Sequence, residues 1–452
     1  MTAMKTARAD ASRGPRTACS GNALSGVRAA APDKSASHRA VILSALAHGN
    51  SRISGLLESA DVMATAGAVK ALGAEVTQAG DGSWTITGCD WTSPAGPLDL
   101  GNAGTGVRLL MGAAARFDLE AVFTGDESLS RRPMGRVLDP LSLMGVRSDA
   151  AKGGRLPARV FGSSRLKSMT YTPPVASAQV KSAVLFAGLG ADGETVVIEP
   201  HATRAQTEVM APLFGADMSV ERNGPGLTAR VRGGKALTPC DLEIPGDPSS
   251  AAFLIAAALI TEDSDVTVTG VMTNEARFGL YETLREMGAD LQITPAGTRC
   301  GETLADIRAR FSSLKGVIVP SDRAPSMIDE YPILSVIAAF AHGETRMLGL
   351  AELRAKESDR LAASAAMLRA NGVGVELGPD SLTVTGCGPK SAPGGGEVIT
   401  DHDHRLAMSG LVFGLAAKKP VRVDDVAMIA TSYPGFFADM AALGAQIAPD
   451  LG

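Results

Sequence analysis

Leu72-Gly73-Ala74 ends one amphipathic stretch and leads at once into a β-rich one, Glu75-Val76. A glycine just past a helix is the expected left-handed C-cap, so the stretch reads as helix, cap, strand. The same reading fits Met144-Gly145-Val146, Phe214-Gly215-Ala216, Met287-Gly288-Ala289, Asn371-Gly372-Val373 and Leu443-Gly444-Ala445. Successive glycines lie 72, 70, 73, 84 and 72 residues apart. Six matches at nearly one period indicate six copies of one unit.

Upstream of each glycine lies a second helical stretch, starting near Ser37, Ala103, Ala178, Ser249, Ile328 and His404. These stretches are apolar nearly all round, as in Ala251-Ala252-Phe253-Leu254-Ile255, and helices of that kind are buried. A short β-rich run tends to follow, for example Glu194 to Ile198. The unit is therefore buried helix, strand, amphipathic helix, strand pair. The fold class is α/β, and six units of ~70 residues suit two globular groups of three better than a solenoid. Ile244-Pro245-Gly246-Asp247-Pro248 punctuates the chain between the third and fourth units. It echoes Ala31-Pro32-Asp33. A strand near Ala23 to Ala29 precedes that first hinge and can join the second half. The expected division is 1–31 plus 246–452 as domain 1 and 32–245 as domain 2, with the active site in the cleft between them.

A chain of 452 residues is too long for one ordinary core, which agrees with two domains. Its 45% hydrophobic and 20% charged residues are those of a globular protein. Aromatics at 4% argue against a stacking platform for nucleic acid, and a net charge of −5 requires any anion site to be a local cluster. No apolar run reaches the ~20 residues of a membrane span. Five widely spaced cysteines without metal-ligand spacing suit a reducing cytoplasm. The first ~17 residues carry four cations but no apolar core for secretion, and read as a frayed terminus.

The chemistry gathers where the buried helices begin. Pro32-Asp33-Lys34-Ser35-Ala36-Ser37-His38-Arg39 places a cap candidate (Asp33, Ser35 or Ser37) and two cations at a helix N-terminus, an anion site of the kind phosphate takes. The other starts hold Asn102, Gly104, Thr105 and Arg108; Ser177, Gln179 and Lys181; Asp247, Ser249 and Ser250; Asp329 and Glu330; and Asp401 to Arg405. Further cations open the amphipathic helices: Arg131 and Arg132, Arg204, Arg277, and the run Arg354 to Arg360. Arg forks match phosphate and carboxylate, so the site is expected to take small, highly charged anions. Each motif alone has a plainer reading: a tight turn at Asn102 to Gly106, a solvated Arg pair at 131–132, stabilising helix pairs at 354–360. His402 and His404, two apart on a helix start, do not share a face, which argues against a metal. Asp329 and Glu330 can serve the helix dipole or act as bases.

Several of these stretches together resemble one family. Pro32 to Arg39, Gly101-Asn102-Ala103-Gly104-Thr105-Gly106, Leu353 to Arg360 and Asp403-His404-Arg405-Leu406-Ala407-Met408 look like signatures of the 5-enolpyruvylshikimate-3-phosphate synthase family. Ser177-Ala178-Gln179-Val180-Lys181 and Pro325 to Pro332 resemble its bacterial second class. The likeness runs from about Ala18 to Ala448. It implies the two-domain enolpyruvyl transferase fold, inverse α/β barrel-like, with three βαβαββ units per domain. It implies transfer of the enolpyruvyl group of phosphoenolpyruvate to the 5-hydroxyl of shikimate 3-phosphate, with no cofactor and no metal.

The resemblance also implies roles. Shikimate 3-phosphate would meet Lys34, Ser35, Arg39, Ser177, Ala178, Gln179, Arg204, Asp329 and Lys356. Phosphoenolpyruvate would meet Lys34, Gly104, Arg132, Gln179, Arg360 and Arg405. Asp329 is the candidate base for the hydroxyl, Glu357 the acid for the methylene carbon, and Lys34 a proton donor to the adduct. Partners are these two small molecules, with inhibition by glyphosate, no nucleic acid, no membrane and a monomeric, cytoplasmic protein. Where first-class members place a Lys before Thr-Phe-Pro, this chain has Thr431 ahead of Ser432-Tyr433-Pro434. Gly104 stands where herbicide-tolerant second-class relatives carry Ala. The competing readings are the related transferase acting on UDP-N-acetylglucosamine and a non-catalytic anion-binding repeat scaffold.

Overall fold

The computed structural model describes residues 14–450. All six glycines of the repeat adopt positive φ: +120° at Gly73, +99° at Gly145, +77° at Gly215, +86° at Gly288, +74° at Gly372 and +99° at Gly444. Each follows a helix and precedes a strand, so the left-handed caps mark the period as the sequence suggests.

The buried helices are α1 (Lys34–Leu46), α2 (Gly104–Ala114), α3 (Ala178–Gly188), α4 (Pro248–Ile260), α5 (Tyr331–Ala339) and α6 (His404–Gly414). Every residue of α4 is buried. Enclosing side chains such as Phe253, Leu254 and Ile255 stabilises by about 1.5–3 kcal/mol each. α5 begins later than expected, at Tyr331, because Ala324–Met327 forms a separate short helix and Ile328 to Glu330 make a turn.

Around each buried helix the chain forms one four-stranded sheet, and all six sheets share a topology. In the second repeat Leu98–Asp99 runs parallel to Glu120–Thr124, which pairs antiparallel with Arg155–Phe161, and Arg147–Ala151 lies at the far edge. This is βαβαββ. Arg155–Phe161 alternates exposed and buried residues, so the sheet turns one face to the core and one outward. The longest interval, 84 residues, contains the longest hairpin, Asp290–Arg299 with Glu302–Arg310.

Three sheets are completed by distant segments. Leu242–Glu243 supplies the first strand of repeat one, pairing parallel to Gly49–Ser54. Ser25–Ala29 supplies the first strand of repeat four, parallel to Asp265–Met272. Arg16–Cys19 closes repeat six, antiparallel to both Val421–Val423 and Gln446–Pro449. That last strand corrects the frayed terminus expected through residue ~17: Arg16 and Thr17 are in a sheet, and its short run of mixed polarity hid it. The rest of that expectation, residues 1–13, lies outside the described residues.

The chain divides into two compact units: 1–31, 246–297 and 303–452 form domain 1; 32–245 and 298–302 form domain 2. Each has its own core. In domain 2, α1 to α3 pack together, and a Cβ on Gly112 of α2 would lie 2.2 Å from the Ala183 carbonyl oxygen of α3. That glycine permits a close approach no side chain would allow. In domain 1, α4 to α6 form the equivalent core. No described helix is long and apolar enough to cross a membrane.

Candidate active site

In domain 2, α1 is capped by Asp33, whose Oδ1 accepts from the Ala36 amide at 2.6 Å and from Gln206 Nε2 at 3.0 Å. Lys34 is the first helical residue and pairs with Asp61, which opens the neighbouring helix Ala60–Ala71. Ser35 is half-buried beside it. Arg39 is 2% exposed and donates to Thr207 Oγ1 (2.7 Å), Ser182 Oγ (2.8 Å) and the Ser35 carbonyl (3.0 Å). It therefore ties α1 to α3 and to the segment after Arg204. His38, fully buried, pairs through Nδ1 with Thr65 Oγ1 at 2.8 Å. Burial, with Lys34 and Arg39 adding to it, holds its pKa well below the usual imidazole value.

α2 starts with no side-chain cap, behind Ala103. Its first residue is Gly104. A Cβ there would sit 2.6 Å from Arg132 Nη1 and 3.6 Å from Arg108 Nη1. Two guanidinium groups thus flank an uncapped helix N-terminus, an arrangement that attracts anions. Arg132 is buried and donates to Asn102 Oδ1 and, at 3.3 Å, to Ser128 Oγ. Asn102 in turn donates to Asp126 at 2.8 Å. Arg108 reaches Gln179 Oε1, and Gln179 Nε2 donates to Thr105 Oγ1 at 2.8 Å. Ser177 caps α3, accepting from the Val180 amide at 3.4 Å; Ser177, Ala178 and Gln179 are half-buried. Arg204, half-buried, lies on the loop between Glu194–Glu199 and Gln206–Met210.

In domain 1 the centre is Arg360, 1% exposed and the first residue of helix Arg360–Ala370. Its guanidinium meets three carboxylates: Asp403 Oδ2 at 2.7 Å, Asp329 Oδ1 at 3.0 Å and Glu357 Oε2 at 2.5 Å. Burial opposes its charge, but Asp403, Glu357 and Asp329 outweigh burial and raise its pKa above the ordinary value. Lys356 Nζ is 3.8 Å and Arg405 Nη2 is 3.9 Å from Asp329. Arg405 Nη1 also donates to the Asp329 carbonyl at 3.2 Å and lies 3.7 Å from Glu330. Glu330 accepts from Ser249, and Arg277 donates to Asp247 and to Ser249, both at 2.8 Å.

Domain 2 thus carries Lys34, Ser35, Gly104, Ser177, Ala178 and Gln179 at its helix starts, Arg39 one turn into α1, Arg132 at the end of Glu127–Arg131 and Arg204 on a loop. Domain 1 gathers Asp329, Lys356, Glu357, Arg360 and Arg405. Three local readings change. Residues 356–359 are not helical; the helix starts at Arg360, capped by Asp359, so the run is a turn that presents Lys356 and Glu357. Arg131 and Arg132 close the short helix Glu127–Arg131 rather than open the amphipathic one, which is Gly135–Leu143. His402 precedes α6, in a turn where Asp401 and His402 have φ of +46° and +59°. Thr431 ends a 3₁₀ turn, its hydroxyl donating to the Met428 carbonyl at 2.7 Å. Sequence reasoning missed Asp61 as the partner of Lys34 and Asp403 as the main partner of Arg360. Both are acidic residues at helix starts, and nothing in their spacing sets them apart from ordinary caps.

Comparison with known proteins shows the family. The sequence model of the family described as EPSP synthase (3-phosphoshikimate 1-carboxyvinyltransferase) matches residues 19–440. The chain belongs to the EPSP synthase family. A 3-phosphoshikimate 1-carboxyvinyltransferase of Maricaulis maris is 58% identical over 94% of this chain and 96% of its own. One of Roseobacter denitrificans is 53% identical over 97% and 98%. The solved EPSP synthase of Acinetobacter baumannii covers 96% of this chain and 99% of its own, with a TM-score of 0.84 at 38% identity. The enolpyruvyl transferase NikO of Streptomyces tendae, at 19% identity and a TM-score of 0.74, shares the fold.

Proposed function

We infer that this chain transfers the enolpyruvyl group of phosphoenolpyruvate to the 5-hydroxyl of shikimate 3-phosphate and releases phosphate. The observation that carries the reading is the family match over residues 19–440, supported by relatives above 50% identity along nearly the whole chain. The residue roles are our proposal and rest on motif resemblance together with the geometry within each domain. The UDP-N-acetylglucosamine and scaffold readings gain no support from those relatives.

Ser35, Arg39, Ser177, Ala178, Gln179, Arg204, Asp329 and Lys356 take shikimate 3-phosphate. Gly104 at the bare start of α2, with Arg132 and Gln179, takes phosphoenolpyruvate, as do Arg360 and Arg405; Lys34 touches both. In the first step the acceptor oxygen bonds to C2 of phosphoenolpyruvate while C3 gains a proton. Asp329 receives the hydroxyl proton and Glu357 supplies the one to C3. In the second step the bond from C2 to the phosphate oxygen breaks, C3 returns a proton, and Lys34 protonates the departing phosphate. Positive charge develops at C2 next to bound anions, so fixed and already paired cations such as Lys34 and Arg360 suit the task better than a bare basic surface. Glyphosate competes with phosphoenolpyruvate in this reading, and activity that persists at millimolar glyphosate would count against that part. The protein acts as a monomer in the cytoplasm, where its five unpaired cysteines would stay reduced.

The test is turnover in deuterium oxide. Addition and elimination through C3 put solvent deuterium into the vinyl group of the product, and Glu357→Ala loses this labelling together with turnover. Product formed with an unlabelled vinyl group would rule out the protonation step.

A further inference from the structure

Lys181 lies two residues past Gln179 on α3 and is completely buried. Its ammonium is 2.7 Å from Glu199 Oε2 and 2.8 Å from Glu208 Oε1, and both carboxylates are equally enclosed. Buried ion clusters are costly to assemble, and removing one member leaves an uncompensated charge. None of the three has a role in the reaction as derived above.

The cluster holds the chain on either side of Arg204. Glu199 ends the strand before it, and Glu208 sits in the helix after it. Glu199 accepts from the Thr203 amide at 3.1 Å and from the Thr203 hydroxyl at 2.5 Å, while Lys181 reaches the Thr203 carbonyl at 3.5 Å. The residue directly before Arg204 is therefore gripped at its N–H, its hydroxyl and its carbonyl. Beyond Arg204, Gln206 donates to Asp33 at 3.0 Å, and Thr207 Oγ1 accepts from Arg39 at 2.7 Å and donates to Ser182 at 2.8 Å.

We propose that Lys181 is a positioning residue for Arg204. It fixes the loop that carries this guanidinium against Ser177 and Gln179, which stand on its own helix, and so sets the grip on the acceptor. The inference rests on the reading that these three residues bind shikimate 3-phosphate.

The test is steady-state kinetics of the full chain for Lys181→Met, Arg204→Ala and their combination. Lys181→Met should raise KM for shikimate 3-phosphate about tenfold, equivalent to about 1.4 kcal/mol. KM for phosphoenolpyruvate and kcat should stay within about twofold, because only uniform acceptor binding is lost. In the Arg204→Ala background the same change should add nothing, since residues acting through one another are not additive. An unchanged acceptor KM, equal effects in both backgrounds, or both KM values moving together would overturn the proposal. If Lys181→Met does not fold, Lys181→Met with Glu208→Gln keeps the net buried charge and takes its place. If that variant also fails to fold, the cluster is structural and the proposal falls. A wild-type chain inactive with both substrates would sink the functional reading and this inference with it; an active one with an indifferent Lys181→Met sinks only the inference.

Discussion

Gly104→Ala is a one-methyl perturbation whose consequence can be worked from the geometry. The new Cβ would lie 2.6 Å from Arg132 Nη1, whereas contacts below 3.4 Å are tighter than nine in ten real ones. The guanidinium must retreat by about 0.8 Å, the difference between those two distances. It has little room, since Arg132 is buried and held by Asn102 and Ser128. A misplacement of ~1 Å at a positioning group can cost ~10²-fold in rate. Because the shift is smaller and Arg132 is assigned to phosphoenolpyruvate, we expect kcat/KM for phosphoenolpyruvate to fall roughly 10- to 100-fold. KM for shikimate 3-phosphate should hardly move, and the thermal midpoint should stay close to wild type because the clash is with a side-chain end. The assay is phosphate release at saturating shikimate 3-phosphate with phosphoenolpyruvate varied, then the reverse. Equal losses for both substrates, or no loss for either, would refute the reasoning that ties Gly104 to Arg132 and both to phosphoenolpyruvate.

Three further expectations follow from the same structure. Asp403→Ala removes the main partner of a fully buried Arg360 and should destabilise by about 3–5 kcal/mol in urea titration, the range for breaking a buried pair; a loss under ~1 kcal/mol would show the pair to be dispensable. Asp329→Asn keeps the size of the side chain but removes the candidate base, so kcat should drop by at least ~10² while the fold is kept; near-normal kcat would assign the base elsewhere. His38 is neutral and buried, with a folded pKa depressed below ~6.5 chiefly by burial. The unfolded chain therefore binds the extra proton, and stability should fall with pH below ~6.5 at up to about 1.4 kcal/mol per pH unit; His38→Asn should flatten that slope, and an unaltered slope would place it on other groups.

The fold was legible in the sequence because one backbone requirement repeats six times. A left-handed residue after a helix needs glycine or tolerates little else, so Gly73, Gly145, Gly215, Gly288, Gly372 and Gly444 advertise their conformation directly. The strand Arg16–Cys19 was not legible, since four residues of mixed polarity carry no period to read, and their partners lie some 400 residues away. The helix starts were legible as a class, through caps, cations and the apolar runs behind them. Which cation meets which carboxylate was not. Asp61 and Asp403 look like any acidic residue at a helix start, and only the packing of neighbouring helices brings them to Lys34 and Arg360. Likewise Lys356 to Asp359 has the spacing of helix-stabilising pairs, yet Asp359 caps the helix after it. Local pattern and tertiary demand part company there, at a turn holding two residues assigned to the reaction.

The most direct measurement is phosphate release by the purified chain given phosphoenolpyruvate, with and without shikimate 3-phosphate. Release is expected only when both are present, and is abolished by Glu357→Ala and by Lys34→Met in protein that remains folded. Release from phosphoenolpyruvate with UDP-N-acetylglucosamine but not with shikimate 3-phosphate, or none with either acceptor, would contradict it.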